Sequence, residues 1–226
     1  MKNTKKAWSL LLCGAFCALI LSLVLPPTLE AQETKAKATK TKKTKAAANP
    51  KSMDGLGNGT LALGEWIAQD DKNDKGDSTA VLTTAEEVVN GKTVTVHTIK
   101  GNVTTKFQYG YAGWRIEPDD ATLTLLKTAK ALSFMVYGDG KRYAIKYKTS
   151  DVRDYEYHEY LFNTEPGEWV TIEVPMGFFM QPTWGKTPVR LKPENVIGVE
   201  WQTHESWRKV GNSNPYEVKI AEFRIF

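Results

Sequence analysis

Residues 131–147 read ALSFMVYGDGKRYAIKY, and their pattern decides the fold. Leu132, Phe134 and Val136 recur at every second position, and after Gly138-Asp139-Gly140 the alternation resumes at Tyr143, Ile145 and Tyr147. Successive side chains of an extended chain point to opposite sides, so apolar residues at period two describe a strand with one buried face. Asp139-Gly140 lies between the two runs as a hairpin signal, because a tight two-residue turn needs a positive φ that Asp and Gly tolerate. The two strands are therefore expected to be neighbours.

The same period extends in both directions. Val94, Val96 and Thr98 alternate with Thr93, Thr95 and His97, and Val103, Thr105, Phe107, Tyr109 and Tyr111 form a further set. Later runs cover Tyr157 to Phe162, Trp169 to Val174, Val196 to Thr203 and Tyr216 to Phe226, separated by segments rich in Pro and Gly. No helix-length amphipathic stretch interrupts them. About eight to ten short strands without crossover helices predict an all-β protein, an antiparallel β-sandwich or jelly roll, over residues 53–226. Those residues hold 6 Trp, 9 Tyr and 7 Phe, so most of the Phe and part of the Trp are expected in the core, with the tyrosines as the informative remainder.

The amino-terminal part is of a different kind. Lys2, Lys5 and Lys6 precede an uncharged run from Ala7 to Leu25, then Pro26-Pro27 and a plausible cleavage point after Ala31. Residues 1–31 thus have the shape of an export signal, although an apolar run of this length also suffices for an uncleaved anchor. Leu12 before Cys13 and Phe16 before Cys17 do not suit lipid attachment. Residues 32–52 contain seven lysines and no large apolar side chain, the composition of a disordered tether. Its lysines serve either as a solvated spacer or as a polybasic arm.

Charge and cysteine content exclude several functions. Residues 1–52 carry 10 Lys+Arg against 2 Asp+Glu, a net +8, so the overall +4 leaves the remainder at net −4. A mildly acidic domain lacks the basic footprint of a nucleic-acid binder. Both cysteines lie in the apolar run, which removes thiol chemistry and disulfides from the folded part. His97, His158 and His204 are far apart, no zinc or serine-hydrolase motif occurs, and Glu156 and Glu159, three apart on a strand, point to opposite faces. The chain is expected not to be an enzyme.

The segments SFMVYGDGKRYAIKYKTSDVRDYEYHEYLF, GEWVTIEVPM, QPTWGK, VIGVEWQ and YEVKIAEFRIF together resemble the galactose-binding-like jelly roll of complex I intermediate-associated protein 30 and of glucan-binding carbohydrate-binding modules, in its secreted bacterial form. Residues 131–226 carry the resemblance, and Asp74 to Ser78 with Gly113-Trp114 extend it more loosely. Proteins of this fold include sugar binders, assembly chaperones and flagellar sheath subunits, and a fold does not by itself assign a function.

Two constellations are candidate sites. In DVRDYEYHEY, Asp151 to Tyr160, a strand starting near Tyr155 places Tyr155 and Tyr157 on one face and His158 on the other. A tyrosine-lined sheet with polar neighbours suits sugar rings, whose C–H patches lie on aromatic faces, but the same tyrosines also suit a core. The resemblance adds Arg142, Tyr143, Trp184, Trp201 and Gln202 to the ligand-binding set. In QDDKNDKGDS, Gln69 to Ser78, clustered oxygens around a glycine suit calcium as well as a solvated turn. The resemblance implies one structural calcium held by Asp74, Asp77 and Glu222, yet Ala221-Glu222 stands where the family commonly has two aspartates.

The functional expectation is an exported, non-catalytic carbohydrate-binding protein, periplasmic, at the cell surface or extracellular, whose partner is an envelope or extracellular polysaccharide. The alternative is a structural or assembly protein of the periplasm that binds other chains, with membrane contact only through an uncleaved signal segment.

Overall fold

The computed structural model describes residues 56–185, 188–208 and 214–226. The export signal expected over 1–31, the tether over 32–52 and residues 53–55 lie outside the described residues.

The elements in chain order are β1 (Thr60–Leu61), β2 (Gly64–Asp70), β3 (Thr79–Val89), β4 (Lys92–Val103), β5 (Tyr111–Pro118), the helix α1 (Asp120–Lys127), β6 (Ala131–Tyr137), β7 (Arg142–Thr149), β8 (His158–Asn163), β9 (Trp169–Pro175), β10 (Val196–His204) and β11 (Asn214–Ile225). One sheet has the order β3-β4-β11-β6-β9, with β1 also on β11, and the second has the order β2-β5-β10-β7-β8. Every ladder between these strands is antiparallel. The all-β sandwich expected from the alternation is the architecture observed.

The core lies between the sheets. Ile99, Leu132, Phe134, Val136, Val218 and Ile220 from the first sheet meet Trp114, Ile116, Tyr143, Ile145, Tyr147 and Trp201 from the second. Trp201 is its centre, stacked on Trp66 at 5.3 Å and on Trp114 at 5.9 Å, with the rings of Phe134 and Phe223 edge-on. At Gly113 the backbone of β5 runs so close to β10 that a Cβ would lie 2.0 Å from the Trp201 carbonyl oxygen, so only glycine fits.

Three local expectations are corrected. Asp139-Gly140 is not a hairpin: β6 belongs to the first sheet and β7 to the second, so the chain crosses the sandwich there. Gly140 does have positive φ, but its N–H donates to Thr164 Oγ1 and Asp139 accepts from Arg208, which clamps the corner. The two apolar sets face each other across the core instead of lying side by side. The run from Val103 to Tyr111 is not one strand: β4 ends at Val103 and β5 begins at Tyr111, because Thr104 is captured by the loop before β3, its N–H donating to Ser78 Oγ and its hydroxyl to Asp77. The short helix α1 was not anticipated from periodicity. It is capped by Asp119, whose carboxylate accepts from the Thr122 N–H, and it buries Leu126.

Candidate functional site

Strand alternation places a polar set on the outer face of the second sheet. With Val199 and Trp201 buried inward, Glu200, Gln202 and His204 of β10 point outward, and across the ladder Lys146 and Lys148 of β7 do the same. Glu159 of β8 lies opposite Lys146, and Tyr111 of β5 opposite His204. The Lys146 ammonium donates to Gln202 Oε1 at 2.6 Å, Gln202 Nε2 donates to Glu200 Oε1 at 3.0 Å, and Lys148 pairs with Glu200 Oε2 at 2.9 Å. Lys146, Glu200 and Gln202 are only 8%, 4% and 8% exposed although they lie outside the core. They form a fixed polar floor.

Aromatic rings stand around this floor. Tyr157 lies over the Lys148 ammonium at 5.1 Å, and His204 is flanked by Tyr111 and by Trp207, the latter edge-on at 4.5 Å. Tyr111 donates its hydroxyl to Asp74 Oδ2. Burial lowers the Lys146 pKa against the opposing pull of Glu200 and Glu159, and burial raises that of Glu159 despite Lys146. Burial, reinforced by Lys146, pushes His204 down to about 3, so its imidazole is neutral at pH 7. Charged donors, carboxylate acceptors and ring faces thus share one surface, the combination that recognises hydroxyl-rich, C–H-faced ligands.

The expected ligand residues divide into three groups. Arg142, Tyr157 and Gln202 belong to this outer face. Tyr155 and Trp184 are 76% and 64% exposed, in loops that meet where the Gly185 N–H donates to Glu156 Oε1. Tyr155 adopts φ 64° and precedes the strand, so the alternation assumed from that residue does not begin until His158. Tyr143, Trp201 and His158 point inward and are corrected. Tyr143 and Trp201 are fully buried, Tyr143 accepting a hydrogen bond from Arg208 Nη2 at 2.9 Å. His158 is 4% exposed and its Nε2 is 2.8 Å from the Val189 carbonyl oxygen, bordering a separate cleft of about 420 Å³ with Glu156 and Gln181.

Lys146, Lys148, Glu159, Glu200, Tyr111, His204 and Trp207 were missed. The polar positions of IKYKT and VEWQTH did signal a solvent-side face, but an ordinary exposed sheet reads identically. Only the burial of Lys146, Glu200 and Gln202 sets this face apart from such a sheet.

The three expected calcium ligands do not converge. Asp74 accepts from Tyr111, Asp77 from Thr104, and Glu222 pairs with Arg224. Thr104 adjoins the Val103–Asn214 end of the β4–β11 ladder and Glu222 adjoins the Val96–Ala221 end, seven residues or ~23 Å away along the strands. The buried carboxylate of the loop is Asp71, which accepts from Ser78 N and Ser78 Oγ at 2.9 and 2.7 Å. Among the described residues no cluster of three or more His, Cys, Asp or Glu is disposed to hold a metal ion.

Residues 57–203 match the family described as complex I intermediate-associated protein 30. No curated protein matches the chain. Among solved structures the chain is similar to the family 11 carbohydrate-binding module of the cellulosomal cellulase Lic26A-Cel5E of Clostridium thermocellum, at 19% identity over 75% of this chain and 94% of that one, with a TM-score of 0.48. It is also similar to an exo-beta-agarase, at 13% identity over 74% of this chain and 25% of that one, TM-score 0.43. A further similarity is to TmCBM61 in complex with beta-1,4-galactotriose, at 13% identity over 71% and 87% of the two chains, TM-score 0.34.

Proposed function

The chain belongs to the complex I intermediate-associated protein 30 family, and on that premise we propose that it is an exported, non-catalytic protein that binds an envelope or extracellular polysaccharide on the outer face of its second sheet. The observation that carries this reading is the Lys146–Gln202–Glu200–Lys148 chain, its first three members nearly buried outside the core, rimmed by Tyr157, Tyr111 and Trp207. Such a floor presents donors and acceptors already held in place, which lowers the ordering cost of binding hydroxyls. Pyranose C–H faces then rest on the rings.

Binding is favoured over hydrolysis because both Glu200 oxygens are engaged, one by Gln202 and one by Lys148, and Lys146 stands between Glu200 and Glu159. A general base needs a free oxygen within reach of water. The exposed Tyr155, Phe178, Met180 and Trp184 favour a second reading, contact with a protein partner at the loop end.

Affinity gel electrophoresis against a panel of neutral and acidic polysaccharides tests the proposal. Retention on at least one is expected, with no release of reducing ends, and Tyr157→Ala should weaken it roughly five- to tenfold while melting within a few degrees of the parent. No retention on any polysaccharide, together with capture of envelope proteins lost in Trp184→Ala, would leave the protein-contact reading in its place.

A further inference from the structure

The strand β3 is an open edge of unusual length. It runs eleven residues from Thr79 to Val89, contains no Pro, Lys or bulge, and has β4 as its only ladder partner among the described strands. The other edges are shorter, and β2 is a seven-residue edge that begins at Gly64. At β8 the Glu159 and Met180 backbones exchange two hydrogen bonds of 2.9 Å, and β9 ends at Pro175. Exposed edges of soluble proteins are normally blunted by charge, proline or a covering segment, because their free N–H and C=O groups template further pairing.

The charges that β3 does carry are turned back onto their own sheet. Glu86 accepts from the Thr95 hydroxyl on β4, and both oxygens of Glu87 accept from Lys219 on β11. Val81 and Val88 remain 52% and 73% exposed along the strand.

The hairpin turn identifies the free backbone groups. Asn90 and Gly91, both at positive φ, form a two-residue turn closed by the Val89–Lys92 pair. In such a hairpin the closing pair is hydrogen-bonded and the pairs then alternate. Odd-numbered residues from Thr79 to Val89 therefore bond β4, and Ala80, Leu82, Thr84, Glu86 and Val88 direct their N–H and C=O to the open edge.

We propose that this edge pairs with the β3 of a second copy of the chain, antiparallel about a two-fold axis at Thr84, to give one continuous sheet across the dimer. Thr84 is the midpoint of the strand, so the two-fold register uses its whole length. It places Thr84 against Thr84, Leu82 against Glu86 and Ala80 against Val88, five pairs that each exchange two hydrogen bonds. Neither Glu86 nor Glu87 meets a carboxylate: their partners are Leu82 and Val81. Inward-facing residues meet inward-facing residues, which a continued sheet requires. The register thus sets every edge-directed group of one copy against one of the other without opposing like charges, and this self-complementarity is the ground for a second copy as the occupant.

Sedimentation equilibrium of the full chain in a density-matched mild detergent, which tolerates its apolar amino-terminal run, provides the test. A monomer–dimer equilibrium is expected, and Thr84→Pro, which removes an edge-directed N–H but no backbone hydrogen bond to β4, should weaken it at least about tenfold. Thr84→Val retains that N–H while losing the 3.0 Å contact of Thr84 Oγ1 with His97 Nδ1, and should dimerise like the parent. In the unmodified chain, hydrogen exchange at the even-numbered amides from Ala80 to Val88 should slow as concentration rises, with the odd-numbered ones unchanged. This measurement decides the matter if Thr84→Pro does not fold. A monomer at all concentrations up to about 100 µM, a dimer indifferent to Thr84→Pro, or exchange without the even–odd contrast overturns the proposal.

Discussion

Trp201 and Gln202 are adjacent in sequence, yet the fold gives them opposite work, and replacing Trp201 with alanine tests that division. The indole is fully buried and touches the rings of Trp66, Trp114, Phe134 and Phe223. A tryptophan burying roughly 200 Å² at about 25 cal/mol per Å² is worth ~5 kcal/mol, within the ~3–5 kcal/mol range seen when large aromatics are truncated in cores. The buried Trp201 Nε1 has no hydrogen-bond partner, so its removal recovers part of that and ~4 kcal/mol is the expected loss. For a domain of this size each kcal/mol shifts the melting temperature by about 2–4 °C, giving a fall of roughly 8–16 °C by calorimetry. Trp201→Phe, which deletes the unpartnered N–H and keeps a ring, should fall by less than half as much. Trp184→Ala, at an exposed loop position, should stay within about 0.5 kcal/mol of the parent. If Trp201→Ala melts within two or so degrees of the parent and instead loses polysaccharide retention, Trp201 faces ligand and the sheet faces assigned above are inverted.

Two further predictions concern other parts of the sandwich. Arg208 donates to Asp139, Tyr143 and Thr203 while lying between the rings of Tyr143 and Tyr216, each at 5.3 Å. Arg208→Met should cost ~3–5 kcal/mol in urea unfolding, and Arg208→Lys should recover little because one ammonium cannot reproduce the guanidinium fork. Recovery by lysine would show that charge alone suffices. Burial holds His97 at about 4 and His204 at about 3, below the usual imidazole value of about 6.5, so the unfolded chain takes up protons first as pH falls. Stability is then full above about pH 6.5 and is lost progressively toward pH 4 and 3, and urea midpoints over this range should fall less steeply in His97→Gln. Parallel slopes for His97→Gln and parent would refute the assignment to His97.

The strands themselves were legible because alternation is local: Leu132, Phe134 and Val136, like Tyr143, Ile145 and Tyr147, declare an extended chain from spacing alone. Their sheet membership was not. A hairpin and a corner that crosses the sandwich share the turn Asp139-Gly140, and the choice depends on Thr164 and Arg208, remote in sequence, holding that corner. The candidate face was half legible for the same reason. Gln202 and Tyr157 were marked by type, but Lys146 and Glu200 look like ordinary solvent-facing residues until β7 and β10 are laid side by side. Tyr143 and Trp201 erred in the opposite direction, because an aromatic ring suits a core and a sugar equally and composition is blind to which side of the strand it takes. Local sequence determined where the chain extends, since backbone geometry is decided within a few residues. Burial belongs to the pairing of distant strands, and it alone separated the aromatic core from the polar floor one residue away.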